Sequence, residues 1–176
     1  PDYYRNRPWR GTWEGSGGGL MINQAIHTLD LAQWFMGGVE SVKGLASTNK
    51  YGDVIEVEDT AEFLLRHPGG TETSFYGTLT NPVHRPVEFE VYGENGTASI
   101  RDGLVVAWAD GRIDTYPERA VPSGGRSYWG VSHEILFRDF YAKLDDPEPF
   151  WITPADAMVS LRALKSLYDQ SFETHN

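Results

Sequence analysis

The 176-residue sequence has no cysteine, which excludes disulfides, thiolate zinc sites and cysteine nucleophiles together. That absence fits a cytoplasmic protein. No apolar run approaches the roughly 18 residues of a membrane span. Nor does a basic stretch lead into an apolar one, as in a secretory signal. Cations are scarce too: 15 Lys and Arg stand against 25 Asp and Glu, a formal charge of −10. So acidic a chain, with no basic stripe, repels phosphate backbones, and nucleic-acid binding is not expected. Repeats and low-complexity tracts are missing, as is a Gly-x-Ser-x-Gly elbow behind a strand. Gly15-Ser16-Gly17 begins like a dinucleotide fingerprint, but its last position is Leu20, and no early βαβ unit surrounds it. The chain opens on Pro1 rather than Met, which suggests processing or a piece of something longer.

What is present suits one folded domain. Apolar residues make up 40% and aromatics 13%, far from the low hydrophobicity of disorder. Residues 1–19 read as an irregular stretch rich in Arg, Trp, Tyr and Gly. Residues 19–36 lack proline and internal glycine and predict a helix, stopped by Gly37-Gly38. Strands are expected over 39–51, 57–67, 71–80, 86–92, 97–100, 104–108 and 112–116. Pro68-Gly69-Gly70, Gly93-Glu94-Asn95-Gly96, Asp102-Gly103 and Asp110-Gly111 punctuate them. Connections this short make neighbours antiparallel, because a parallel crossover needs a dozen or more residues. Val87, Phe89 and Val91 alternate with Glu88 and Glu90, the pattern of a sheet with one solvated face. A helix follows over 131–144. Another begins at Thr153-Pro154-Ala155-Asp156 and carries an apolar stripe of Met158, Leu161, Leu164, Tyr168 and Phe172. Helix, run of strands, two helices predicts α+β: an open, mostly antiparallel sheet with helices packed on one face.

On the first helix Asn23, His27 and Asp30 stand at i, i+4 and i+7 and share a face. Apolar residues on two other sides predict a largely buried helix, so this polar ribbon needs partners or a cavity. His27 at a cleft can exchange a proton near neutral pH, with a carboxylate one turn away to orient it. Equally, His27 can be a satisfied core histidine and Asp30 a structural acceptor. As a metal site, His27 with Asp30 and Glu14 supplies too few ligands, and none is expected.

Tyr3-Tyr4, Trp9-Arg10-Gly11-Thr12-Trp13 and Gly17-Gly18-Gly19-Leu20-Met21-Ile22-Asn23-Gln24-Ala25-Ile26-His27-Thr28-Leu29-Asp30 resemble the Gfo/Idh/MocA oxidoreductase family, at the start of its C-terminal domain. Trp34-Phe35-Met36-Gly37, Val57-Glu58-Asp59-Thr60-Ala61, Gly93-Glu94-Asn95-Gly96-Thr97, and His133 with Phe137, Asp139 and Phe140 extend the resemblance over nearly the whole chain. It implies that residues 1–176 are a C-terminal domain for substrate binding and oligomerisation. An N-terminal Rossmann domain, absent from this chain, would bind NAD or NADP and contribute a Lys from a Glu-Lys-Pro motif. No cofactor is then expected on the fragment itself, which should be inactive alone. The substrate implied is a sugar, sugar derivative or polyol, reacting at a hydroxyl or carbonyl. His27 becomes the candidate acid/base. Inositol-dehydrogenase-like relatives often carry Asp where this chain has Asn23, and Asn cannot take a proton, so Asn23 can only hydrogen-bond substrate or orient His27.

Further candidate substrate contacts are Asp30, Arg10, Trp13, His133 and Tyr128, with Trp9 and Trp129 beside them. A solvated Arg10 and a Trp13 packed on the sheet are the plain alternatives. The apolar face of the sheet is expected to bury against another copy in a homo-oligomer. Two other functions compete: a non-catalytic sugar-binding or assembly domain, and a carbohydrate-binding module that shows its aromatics on an open sheet.

Overall fold

The computed structural model of the chain describes residues 2–83, 85–101, 103–117 and 132–172. It is α+β, with seven antiparallel strands in open sheets of three and four rather than one continuous sheet. The chain divides into two compact units, one of Pro1–Pro82 with Ile152–Asn176, the other of Val83–Trp151.

The first unit opens with two single-turn helices, α1 (Asp2–Arg5) and α2 (Trp13–Ser16), and a 3-10 turn over Pro8–Gly11 between them. A π-helical turn, Met21–Ala25, then runs directly into α3 (Ile26–Met36), so the expected uniform helix changes pitch near its start. Gly37, at φ 80°, ends α3 in the left-handed conformation that glycine adopts freely. Strands β1 (Ser41–Ser47), β2 (Thr60–Arg66) and β3 (Glu72–Thr78) form an antiparallel meander in which Leu45 pairs with Glu62 and Glu62 with Tyr76. Alternation decides which side faces inward: Ala61, Phe63 and Leu65 are buried, while Glu62, Leu64 and Arg66 are exposed. Phe63 stacks on Phe75 with ring centroids 4.7 Å apart.

The last helix, α5 (Pro154–Ser171), starts with the capping box that its sequence predicts: the Asp156 amide donates to the Thr153 hydroxyl, and the Thr153 amide donates to the Asp156 carboxylate. Its buried face is Ser160, Ala163, Leu164 and Leu167, offset from the expected stripe, and Met158 and Leu161 stay exposed. Small side chains at Ser160 and Ala163 let α5 lie close to α3 and β1, whereas Met158 and Leu161 would hold the elements apart. The core of this unit is Met21, Leu29, Val57, Leu65, Leu164 and Leu167. The core histidine is His67: its Nδ1 lies 2.6 Å from the Gly38 carbonyl and its Nε2 2.8 Å from the Thr73 hydroxyl.

The second unit holds β4 (Phe89–Gly93), β5 (Gly96–Ile100), β6 (Gly103–Trp108), β7 (Ile113–Pro117) and α4 (Ser132–Ala142). The loop between β4 and β5 is the two residues Glu94-Asn95, because Gly93 pairs with Gly96. Register places Phe89, Ile100, Leu104 and Tyr116 in one row across the sheet, with Val91, Ala98 and Val106 in the next row on the same face. The opposite face carries Tyr92, Thr97, Ala107 and Ile113. Among the described residues no helix is long and apolar enough to cross a membrane.

Candidate active site

The site is built on the turn from Gly17 into α3, and a buried carboxylate organises that turn. The first amides of a helix have no partner inside it. Here Glu58 takes them: its Oε2 accepts from the Gly19 amide at 2.8 Å, its Oε1 from the Met21 amide at 2.8 Å, and its carbonyl from the Leu20 amide at 3.2 Å. Tyr168 of α5 donates its hydroxyl to the same Oε1 at 2.8 Å. Glu58 is fully buried, and this burial holds its carboxyl above the usual 4.5, with the three donors only partly offsetting it. Burial beside Glu58 likewise pushes the Tyr168 hydroxyl far up, so it stays a donor.

Two of the three glycines are required by this packing. A Cβ on Gly19 would sit 2.0 Å from the Glu58 carbonyl oxygen, and one on Gly18 would sit 2.3 Å from the Tyr168 hydroxyl. Gly18 also has φ +148°, which side-chain-bearing residues rarely adopt. Gly18 and Gly19 therefore serve close packing at the helix start.

Next to Glu58 in sequence, Asp59 is also buried but meets different company. Burial alone would raise its pKa, yet the amides of Asn49, Lys50 and Tyr51 and the Thr60 hydroxyl all donate to it. Those donors win, and the carboxyl is held below its usual 3.8. Asp59 thereby fixes the loop after β1, while Glu58 fixes the start of the site helix.

The polar ribbon is open rather than buried. Asn23, His27 and Asp30 are all exposed, as are Trp34 and Phe35 further along α3. Only Leu29, Ala32 and Gln33 of α3 are buried, and α3 packs against α5. Apolar residues on two sides overstated the burial: Phe35 is exposed, and Ile22, Ile26 and Leu31 are only half-buried. Asn23 directs its amide back to the Gly19 carbonyl at 2.9 Å. Asp30 is pinned from two directions, by the Ser160 hydroxyl at 2.5 Å and the Gln33 amide at 3.1 Å, both on Oδ1. The exposed His27 side chain has no hydrogen bond to another described residue, so it is not a satisfied core histidine.

The other candidates are placed unevenly. Trp13 is half-buried, edge-on to Tyr168 and Phe172 at centroid distances of 5.1 and 4.8 Å. Arg10 lies over the rings of Trp9 and Tyr3, at 4.8 and 5.5 Å. His133 is exposed at the start of α4, in the second unit. Tyr128 and Trp129 lie outside the described residues. Among the described residues no group of three or more His, Asp or Glu side chains could hold a metal ion. Sequence reasoning passed over Glu58, Tyr168 and Ser160 as site-building residues. The available signal was the pair of adjacent acids, Glu58 and Asp59, at the expected start of a strand.

The family model of the GFO/IDH/MocA C-terminal domain matches residues 1–99. No curated protein matches the chain. Among solved structures, WlbA dehydrogenase from Bordetella pertussis, in complex with NADH and UDP-GlcNAcA, is 31% identical with a TM-score of 0.69, covering 97% of this chain and 48% of that one. An oxidoreductase from Agrobacterium radiobacter, in complex with NAD+, L-tartaric acid and magnesium, shares the fold at 18% identity and TM-score 0.77, over 97% of this chain and 51% of that one. Levoglucosan dehydrogenase, in complex with NADH and levoglucosan, shares it at 21% identity and TM-score 0.72, over 93% and 52%. The chain thus spans about half the length of these structures.

Proposed function

We infer that this chain, which belongs to the GFO/IDH/MocA family through that family's C-terminal domain, is the substrate-side half of an NAD(P)-dependent oxidoreductase. Its substrate is a sugar, sugar derivative or polyol, reacting at a hydroxyl or carbonyl. The observation that carries this reading is the exposed His27 on a helix whose neighbouring polar groups are already fixed, Asn23 by the Gly19 carbonyl and Asp30 by Ser160 and Gln33. Support also comes from the solved relatives, which include complexes with NADH and a sugar or sugar nucleotide.

This chain shows no glycine-rich βαβ unit among its described residues, so its own residues do not fit the nicotinamide cofactor. Residues 1–176 form the C-terminal domain, and a Rossmann domain outside this chain would hold NAD or NADP, which would supply the hydride chemistry. What this chain contributes is proton handling and orientation. His27 takes the proton from the reacting hydroxyl, or returns it to the carbonyl oxygen in the reverse direction. Asn23 has no proton to exchange and positions the substrate or the imidazole by hydrogen bonding. Asp30 and Trp13 of the same unit are further substrate contacts. The protein works in the cytoplasm as a homo-oligomer, assembled through the sheet face that carries Phe89, Ile100, Leu104 and Tyr116.

The test is His27→Ala in the full-length protein, assayed with NAD and NADP against a panel of sugars and polyols. Turnover should fall by about 10² to 10⁴, the usual contribution of a positioned acid/base. Wild-type rates in the variant would remove His27 from the mechanism. Absence of turnover in the wild type across the panel would favour a sugar-binding or assembly domain instead.

A further inference from the structure

We propose that Ser160 and Tyr168 are positioning residues for His27: from one helix, α5, they hold the site helix on either side of the histidine and so set its reach to the reacting oxygen. The proposal rests on the reading of His27 as the acid/base above. The exposed imidazole has no hydrogen bond to another described residue, so its place is set by the backbone that carries it. What places that backbone is therefore what aims the proton transfer.

Two hydroxyls of α5 reach the site helix. Ser160 donates to Asp30 Oδ1 at 2.5 Å, just after His27 in the chain. Tyr168 donates to Glu58 Oε1 at 2.8 Å, and the same carboxylate accepts from the Gly19 and Met21 amides before His27, at 2.8 Å each. The order is crossed: the earlier residue of α5 serves the later end of the site helix, so the two helices run antiparallel. The spacings match as well. Ser160 and Tyr168 stand about 12 Å apart along α5, and Met21 and Asp30 about 13 Å apart along the site helix.

These contacts are directional, which the apolar contacts beside them are not. Burial of Leu29 on α3 and Leu164 on α5 keeps the layers together but is indifferent to a small roll or slide. A hydrogen bond weakens steeply as it bends. Ser160 also forgoes the local partner open to a helical serine. Ser171 of the same helix donates to the Leu167 carbonyl at 2.7 Å, whereas the buried Ser160 sends its proton across to α3. A misplacement of about 1 Å can cost on the order of 100-fold in rate, although a single hydrogen bond adds little to the stability of a fold. Position and stability can therefore be separated by experiment.

The experiment uses the full-length protein carrying Ser160→Ala or Tyr168→Phe, each alone and combined with His27→Ala, with Ser166→Ala on the exposed side of α5 as control. Turnover is measured with NAD and NADP on D-glucose, D-glucuronate and myo-inositol. Ser160→Ala and Tyr168→Phe should each lower kcat by roughly 10- to 100-fold and change KM by less than about threefold, and Ser166→Ala should leave both constants as they are. In the His27→Ala background neither should lower kcat further, because no imidazole is left to misplace. The imidazole resonances of His27 should move in both variants, while those of His67, held by Gly38 and Thr73, stay in place. An equal loss of kcat in the His27→Ala background, a rise in KM with kcat intact, or a kcat within about threefold of wild type would overturn the proposal. So would unmoved His27 resonances, whether or not any probe is turned over. If His27→Ala is impaired while Ser160→Ala and Tyr168→Phe are not, only the positioning role falls; a wild-type rate in His27→Ala sinks the acid/base reading first. Moved resonances in a wild type that turns over no probe would sink the oxidoreductase reading and leave α5 as the element that places His27.

Discussion

In the first unit Met21, Leu29, Leu65, Leu164 and Leu167 are sealed from solvent, whereas no described residue between 83 and 151 is buried. Both units contain antiparallel meanders, so strand topology does not separate them. The difference is a second layer. In the first unit α5 packs on β1 and α3 packs on α5, and a core forms between the layers. In the second, the row of Phe89, Ile100, Leu104 and Tyr116 is at best half-covered. Alternation specifies a sheet, but only a partner layer turns one face of it into a core.

The hardest way to strain that contrast is to cut into the first unit. Leu164→Ala removes a side chain that is 1% exposed, and should cost about 2–5 kcal/mol in thermal unfolding. A loss below about 1 kcal/mol would mean that the layer contact is looser than the burial says.

A smaller effect comes from the paired acids of the same unit, which should respond to pH in opposite senses. Glu58 has a raised pKa in the fold, so the native state binds its proton more tightly than the unfolded chain does. Its contribution is full below the usual 4.5 and is lost as pH rises through the raised value. Asp59 has a lowered pKa, so its contribution is full above the usual 3.8 and is lost as pH falls through the lowered value. Melting temperature against pH should therefore lose its higher-pH decline in Glu58→Gln and part of its acid limb in Asp59→Asn. Identical profiles in the two variants would contradict the opposed environments.

The gentlest probe belongs to the second unit. Tyr116→Ser alters an exposed side chain and should shift unfolding by no more than about 0.5 kcal/mol. Its effect should appear instead in the mass measured by light scattering, because its row is the proposed subunit contact. A wild-type protein that already runs as a clean monomer would remove that contact.

The sequence made the architecture legible wherever periodicity or turn chemistry was strong. The strand run, the Glu94-Asn95 hairpin and the capping box at Thr153 all stand where their residues place them. The site was legible only as a ribbon of Asn23, His27 and Asp30. Its supports were not, because Glu58 and Tyr168 stand 110 residues apart and Asp30 and Ser160 stand 130 apart. No local pattern encodes such contacts. The offset of the buried face of α5 was hidden for a related reason: Ser160 and Ala163 pack by being small, and a hydrophobic stripe does not report smallness.

The π turn at Met21–Ala25 lies between two fixed anchors, Glu58 gripping Gly19 and Met21 on one side, and Ser160 gripping Asp30 on the other. A π turn is what an α-helix becomes when it accommodates one extra residue. Here it absorbs the mismatch between a helix start whose phase is set by β2's approach and a helix body whose phase is set by α5. Losing a single residue from this stretch would return it to α-helical pitch while leaving both anchors in place. The helix thus has a vernier, a place where one residue can be gained or lost without disturbing the contacts at either end.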